Sequence, residues 1–217
     1  MRFCNDFPKM SKLLRFDAEC LIFSKLDLSK GYFQIRMRKE DRCKTAFTTR
    51  QYQFVVMPFG LKTAGAVFSR IMRLVLEPLN LDGVQNFMDD ILAVIATWCE
   101  HVDALEKLIM RLDEVNLSIC PTKCALGFEE VGFLGHKISA GQMKPEEDKL
   151  MKIQDAPRPL NKKQVRAFMG LAGYYRRFIS NYAAIARPLT DLTQKKSPDQ
   201  CQNMFDSLKE KLGSTPI

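Results

Sequence analysis

Phe87-Met88-Asp89-Asp90-Ile91-Leu92-Ala93-Val94-Ile95 sets two neighbouring acids at the head of an otherwise apolar run. Ionised carboxylates in a half-buried strand or hairpin are unfavourable unless something positive neutralises them, and adjacent acids repel each other. Without a cation, at least one of the pair would tend to keep its proton. A divalent metal answers both difficulties, and an oxygen-only ligand set favours hard Mg²⁺ or Mn²⁺. A surface turn accounts for an Asp-Asp pair about as well, because turns accept Asp freely. The choice rests on a third carboxylate.

Asp27 is the candidate. It lies near the end of Leu21-Ile22-Phe23-Ser24-Lys25-Leu26-Asp27-Leu28, where alternation predicts Ile22, Ser24, Leu26 and Leu28 on one face and Phe23, Lys25 and Asp27 on the other. Ser29-Lys30-Gly31 then interrupts the strand, and Tyr32-Phe33-Gln34-Ile35 resumes an apolar pattern. An acid beside a Gly turn can project into a cleft without entering the core. Taken alone, a solvated strand-end Asp is the better account of this residue.

Together the two segments carry more. Leu26-Asp27-Leu28-Ser29-Lys30-Gly31-Tyr32 and Phe87-Met88-Asp89-Asp90-Ile91-Leu92 resemble the palm of a reverse transcriptase of the Ty3/gypsy retrotransposon type. Lys44-Thr45-Ala46-Phe47-Thr48-Thr49 and Val56-Met57-Pro58-Phe59-Gly60-Leu61 lie between them in the family's order and spacing. Glu130-Val131-Gly132-Phe133-Leu134-Gly135-His136 and Gly170-Leu171-Ala172-Gly173-Tyr174-Tyr175-Arg176-Arg177-Phe178-Ile179 follow them. The likeness runs from about Ile22 to the C-terminus. Phe87 departs from it, standing where the family has a tyrosine, and Lys62-Thr63-Ala64-Gly65-Ala66 stands where Asn-Ala-Pro-Ala is usual.

The resemblance implies an α+β fold: a polymerase palm, with an antiparallel sheet and helices on one face, plus partial fingers and a small thumb and connection. Residues 1–20 are then a residual fingers segment and 21–140 the palm. Residues 141–195 are a thumb-like helical region, and 196–217 the start of a connection to an absent ribonuclease H domain. The implied activity is RNA-directed DNA polymerisation with two Mg²⁺ or Mn²⁺ ions, joining a dNTP to a primer 3′-hydroxyl on an RNA or DNA template. Asp27 and Asp89 would bridge the ions, the Leu28 carbonyl would add a ligand, and Asp90 would complete the triad. Tyr32 would lie under the sugar of the incoming nucleotide and exclude a 2′-hydroxyl; its ordinary alternative is core packing. Phe59 and Gly60 would shape the nucleotide pocket. Phe87, Met88, Phe133, Leu134 and Gly135 would meet the primer and template. Other products of a Pol polyprotein would be partners.

Composition agrees without being specific. At 217 residues and 46% apolar, the chain can bury a core as one or two units. A net charge of +8 suits a polyanionic partner. There is no run of 18 apolar residues and no apolar secretory leader after Met1, so the expectation is an intracellular protein that does not span a membrane. Seven cysteines, odd in number and without framework spacing, point to free thiols in a reducing compartment. Cys120, Cys124 and His136 match no zinc module and lack a fourth ligand. No phosphate-cradling Gly-Lys-Ser/Thr loop or dinucleotide glycine motif is present.

Periodicity predicts the elements. Helical character is moderate around Lys9–Phe16, and short strands are expected through Gln34–Arg38, Thr45–Thr49 and Gln53–Met57. A helix is predicted from Thr63 to Leu79 with Ala64, Val67, Phe68, Ile71, Leu74 and Val75 on its apolar face. Val84–Ile95 reads as a hairpin. A second helix, Glu100–Val115, should bury Val102, Leu105, Leu108, Ile109, Leu112 and Val115. Short strands return over residues 124–143. After Pro157–Leu160, Asn161 and Gln164 form a capping box for a helix that buries Val165, Phe168, Met169, Ala172 and Tyr175. Lys162, Lys163, Arg166, Arg176 and Arg177 suit either a solvated face or, with Tyr174 and Tyr175, phosphate-backbone contacts. Two other readings stand beside the polymerase: an inactive nucleic-acid-binding relic, and another palm enzyme such as a nucleotide cyclase. The thumb-like tail argues against the cyclase.

Overall fold

A computed structural model describes residues 21–47, 52–194, 205–206 and 209–210. The helical segment expected around Lys9–Phe16, and Thr48 and Thr49, lie outside the described residues. The described chain divides into two compact units. One holds the residues up to Phe133 together with Ser139–Gly141; the other holds Leu134–Ile138 and everything from Gln142 onward.

The first unit is built on a four-stranded antiparallel sheet. Strands β1 (Ile22–Asp27), β2 (Val84–Phe87), β3 (Asp90–Ile95) and β4 (Ala125–Phe128) lie in the order β2-β3-β1-β4. Leu26, Leu28 and Ile91 point to the side covered by helices α2 (Ala64–Leu76) and α3 (Trp98–Glu114). There they meet Phe68, Met72, Leu108 and Leu112, each almost wholly buried. Truncating a core aromatic such as Phe68 to Ala is expected to cost about 3–5 kcal/mol.

Both helices exist where periodicity puts them, but each is rotated from the predicted stripe. Helix α2 buries Ala64, Phe68, Met72 and Val75 and leaves Val67 and Leu74 exposed. Helix α3 buries His101, Ala104, Leu108 and Leu112 and leaves Val102 and Ile109 exposed. An apolar arc wider than the sheet can cover leaves its rim in solvent, and on α3 a buried polar residue, His101, also faces inward. Ser24 Oγ lies 2.7 Å from His101 Nε2 and accepts the Gly127 amide at 2.9 Å. Thr97 caps α3, accepting the Glu100 amide, while its hydroxyl donates to the Glu100 carboxylate at 2.7 Å.

The stretch between β1 and α2 is less regular than expected. A 3₁₀ turn (Gly31–Gln34) and a short helix α1 (Lys39–Arg42) stand among the predicted strands. The bridges Arg36↔Val56 and Phe47↔Tyr52 are all that appears of a ladder among the described residues. Val55 and Tyr52 are exposed, so no second apolar layer holds these segments in a sheet. On β1 both Phe23 and Ser24 are fully buried, so the sheet is covered on two sides at that end and alternation fails there.

The first unit closes with β5 (Glu130–Phe133). The second contains β6 (His136–Ser139) up to Ile138 and β7 (Gln142–Pro145), which are neighbours in a small sheet, and helices α4 (Glu147–Gln154), α5 (Lys162–Tyr174) and α6 (Tyr182–Gln194). Its core joins Ile153, Val165, Phe168, Ala172, Tyr175, Ile179 and Leu189. Asn161 caps α5 through the Gln164 amide at 3.0 Å, and the Gln164 side chain accepts from the Leu160 amide at 2.6 Å, one residue earlier than a capping box would have it.

Candidate active site

Register brings the distant acids together. β1 and β3 pair so that Asp27 stands opposite Asp90, and the Leu28 amide donates to the Asp89 carbonyl at 2.9 Å. Cross-strand partners share a face, so the carboxylates of Asp27 and Asp90 emerge on the side away from the α2 and α3 core, with Lys25. On its other edge β1 bonds the loop after α3: the Ser29 amide donates to Ser118 O and the Cys120 amide to Asp27 O. Gln34 fastens that junction, donating to Ser29 O and Ser118 O and accepting from the Ser118 amide.

Asp89 differs from its neighbours. It follows Met88 in a two-residue turn between Phe87 and Asp90, and Met88 has φ +54°. Left-handed backbone at a residue with a side chain costs about 1 kcal/mol or more, which is why Gly usually fills this position. The Met88 side chain lies along the start of α2, where its sulfur accepts from Ser69 Oγ at 3.6 Å. The Asp89 carboxylate packs over Gly31: a Cβ there would meet Asp89 Oδ1 at 2.6 Å and Phe68 Cζ at 2.9 Å. Gly31 is glycine because the acid occupies its side-chain space.

Charge is distributed unevenly over the three acids. Lys123 Nζ lies 3.5 Å from Asp27 Oδ1, and Lys25 Nζ lies 3.2 Å from Asp90 Oδ1. Asp90 Oδ1 has no well-angled hydrogen bond, but Lys25 answers its charge. Asp89 Oδ1 is buried with neither a hydrogen bond nor an ion pair. Burial, then Asp27, then Asp90 push the Asp89 carboxyl above the usual carboxylate range, opposed only by Lys123. As placed, no three His, Cys, Asp or Glu side chains among the described residues form a closed ligand set. The donor chemistry nevertheless fits a hard cation: oxygen ligands, mutual repulsion and one orphaned buried carboxylate oxygen.

Tyr32 borders this acid. Burial and Asp89 raise its phenol pKa, so the hydroxyl stays protonated. Its ring packs edge-on to Phe68 and tilted against Phe59, with centroids 5.3 Å apart in both cases, and its hydroxyl reaches the space beside Gly65. Phe59 is 62% exposed despite these contacts, and Gly60 beside it has φ +90°. Phe87 is half-buried at the end of β2. Phe133 is 1% exposed and serves as core in the first unit, not as the surface contact expected of it.

Leu134 and Gly135, in the second unit, form a turn with φ +50° and +73°. Leu134 O accepts from the Tyr174 hydroxyl at 2.5 Å and from His136 Nδ1–H at 2.8 Å. Gly135 O accepts from the Tyr175 hydroxyl and the Glu146 amide, both at 3.1 Å. His136 is buried against Tyr174, Tyr175 and Phe178, and that burial lowers its pKa.

Sequence reading missed Gly31, Lys25 and Lys123 as parts of the acid site, and set the tyrosine pair among phosphate contacts, not on the Leu134-Gly135 turn. Lys25 could have been found: two residues before Asp27 on one strand, it shares that residue's face, diagonal to the acid of a paired strand. Lys123 and the tyrosines reach their partners only through tertiary structure.

Comparison with known proteins accords with this geometry. A family model described as reverse transcriptase (RNA-dependent DNA polymerase) matches residues 2–138. The chain is 36% identical over 217 residues to the retrovirus-related Pol polyprotein from transposon 297 of Drosophila melanogaster, covering 97% of this chain and 20% of that protein. It is 31% identical to the Pol polyprotein from transposon gypsy of the same organism, covering 96% of this chain and 20% of that one, and 32% identical to the transposon Tf2-3 polyprotein of Schizosaccharomyces pombe, covering 97% and 16%. The chain thus spans about a fifth of the length of the curated relatives it matches. Among solved structures, a foamy viral protease-reverse transcriptase in complex with RNA/DNA hybrid aligns with a TM-score of 0.81 at 27% identity, covering 89% of this chain and 27% of that one. The related structure with double-stranded DNA aligns with a TM-score of 0.82 at 26% identity, covering 94% and 37%. The sheet that juxtaposes Asp27 with the Asp89-Asp90 turn is therefore a polymerase palm, and the chain belongs to the reverse transcriptase family, of the type carried by Ty3/gypsy retrotransposon Pol polyproteins.

Proposed function

We propose that this chain supplies the palm and the beginning of the thumb of an RNA-directed DNA polymerase, adding deoxynucleotides to a primer 3′-hydroxyl on an RNA or DNA template. The observation that carries the reading is Asp89 Oδ1, buried without a partner on a carboxyl that burial, Asp27 and Asp90 raise. A protein gains nothing for its own stability from such a group. A cation bound there would convert the repulsion into attraction. The complexes of the foamy viral enzymes with RNA/DNA hybrid and double-stranded DNA support a template–primer duplex as the macromolecular partner.

Asp27 and Asp89 would hold two Mg²⁺ or Mn²⁺ ions, with Asp90 a weaker ligand. The Leu28 carbonyl suits a further contact, because an extended residue directs its N–H and C=O to one edge, and the Leu28 N–H faces Asp89. Bound there, the ions would lower the pKa of the primer hydroxyl and neutralise the triphosphate and departing pyrophosphate. Lys25 and Lys123 would release the Asp90 and Asp27 oxygens as the cations enter. Tyr32, protonated and wedged between Phe59 and Phe68, would set a wall against a sugar 2′-hydroxyl. Phe59 and Gly60 would shape the pocket beyond it. Phe87 and Met88, at the hairpin tip, would face the primer, and Leu134 and Gly135 would grip its end while Phe133 anchors the strand leading to them.

A second reading has its own support. Two of the three acids already have lysine counterions, as in a fold kept for nucleic-acid binding without chemistry. Primer extension with RNA and DNA templates in Mg²⁺ or Mn²⁺ separates the two. The polymerase reading expects extension by the wild type and a loss of about a hundredfold or more in Asp89→Asn, with duplex binding kept. Duplex binding without incorporation by the wild type would favour the relic, and undiminished extension by Asp89→Asn would reject the metal assignment.

A further inference from the structure

We infer that Tyr174 and Tyr175 are positioning residues, whose hydroxyls hold the Leu134-Gly135 turn in the shape that grips the primer end; this rests on the polymerase reading above. Every contact involved lies within the second unit. Two consecutive left-handed residues, one of them Leu, form a turn that a flexible chain would leave. What retains it is saturation of both its carbonyls. Leu134 O takes the Tyr174 hydroxyl and His136 Nδ1–H, and Gly135 O takes the Tyr175 hydroxyl and the Glu146 amide. A carbonyl oxygen has two lone pairs, so four donors fill the pair completely.

Two further observations fit a built clamp. A Cβ on Gly135 would meet the Tyr175 hydroxyl at 3.3 Å and the Tyr174 ring at 3.6 Å, so glycine admits the tyrosines as well as the backbone angle. The rings also brace each other edge-to-face, with centroids 5.0 Å apart, and both rest on His136. The electrostatic consequence concerns the ligand. Carbonyl oxygens repel phosphate, and the clamp occupies both turn carbonyls with donors. Burial raises both phenols, Tyr175 to about 12, so neither hydroxyl ceases to donate at neutral pH.

Phenylalanine keeps each ring and deletes only the donor. In the full chain, hydrogen exchange of residues 133–137 should accelerate at least about fivefold in the Y174F/Y175F double variant, with β1 and β3 unaffected. With 2-aminopurine at the primer 3′ end, the double variant should lose the wild-type fluorescence change on binding. Duplex affinity should stay within about twofold, and the extension rate at saturating duplex should fall. Unchanged exchange in the turn would overturn the clamp. A loosened turn with an unaltered primer-end signal would overturn the positioning role and leave a structural one. If the wild type fails to extend primers while the exchange and fluorescence results hold, the polymerase reading falls and the positioning of the primer end stands.

Discussion

Each unit contains a two-residue turn that forces a side-chain-bearing residue into left-handed backbone, Met88 in one and Leu134 in the other. Their surroundings are opposite. At Leu134-Gly135 four donors fill two carbonyls. Beside Met88, Asp89 Oδ1 is buried with no donor at all, and its nearest charged neighbours are mostly acids. The same strain therefore serves two purposes. Saturated polar groups make a turn rigid, whereas the unsatisfied one is where the proposed reading puts a cation. Asp89→Asn tests this most severely. Beyond the loss of extension, it should raise the thermal midpoint in EDTA, because it removes a repelled charge, and it should abolish stabilisation by added Mn²⁺. A fall in the EDTA midpoint would mean that the carboxylate supports the fold after all.

Gly31→Ala attacks the same point through space. The new Cβ would collide with the Asp89 carboxylate and with the Phe68 ring, which is wholly buried in the core. Overpacking of this kind is expected to cost about 1–3 kcal/mol, read by urea denaturation, and to lower extension at least about tenfold while duplex binding persists. Extension at the wild-type rate would show that Asp89 has room to move.

The two turns should also answer pH in opposite senses. The folded state holds the Asp89 proton more tightly than the unfolded chain does, so its contribution is present at acid pH and lost as pH rises through the raised pKa. His136 is the reverse. Burial depresses its pKa, so its contribution is present above the ordinary histidine range and lost as pH falls through the depressed value. Urea midpoints in EDTA, from about pH 4 to about pH 8, should show Asp89→Asn gaining on the wild type as pH rises and His136→Asn losing least at the acid end. Parallel curves for all three proteins would dissolve the contrast.

How much of this the sequence disclosed follows from the range of the forces involved. The acid hairpin, both palm helices and the Asn161 cap rest on local periodicity and capping, and each appears. The inward face of α3 is not legible locally, because His101 turns inward to Ser24, 77 residues away. The strands expected over Gln34–Arg38 and Gln53–Met57 are not formed: alternation makes a strand possible, but only a partner layer stabilises it, and exposed Val55 has none. The meeting of Asp27 with Asp89 and Asp90 was legible through motif spacing, whereas the unequal charge compensation among them depends on Lys25 and on Lys123 arriving from another loop.

Lys123 gives the smallest expected effect and the finest test. Its ammonium is largely exposed and 3.5 Å from Asp27, so it should contribute no more than about 1 kcal/mol to folding. Its role at the acids is nonetheless directional, because an ammonium beside Asp27 competes with any divalent ion for that carboxylate. Lys123→Gln should therefore bind Mn²⁺ more tightly by a factor of about two to five, measured by electron paramagnetic resonance titration without nucleic acid. Weaker Mn²⁺ binding would mean that the lysine orders Asp27 for the metal, and the acid turn would then share the scaffolded character of its counterpart in the second unit.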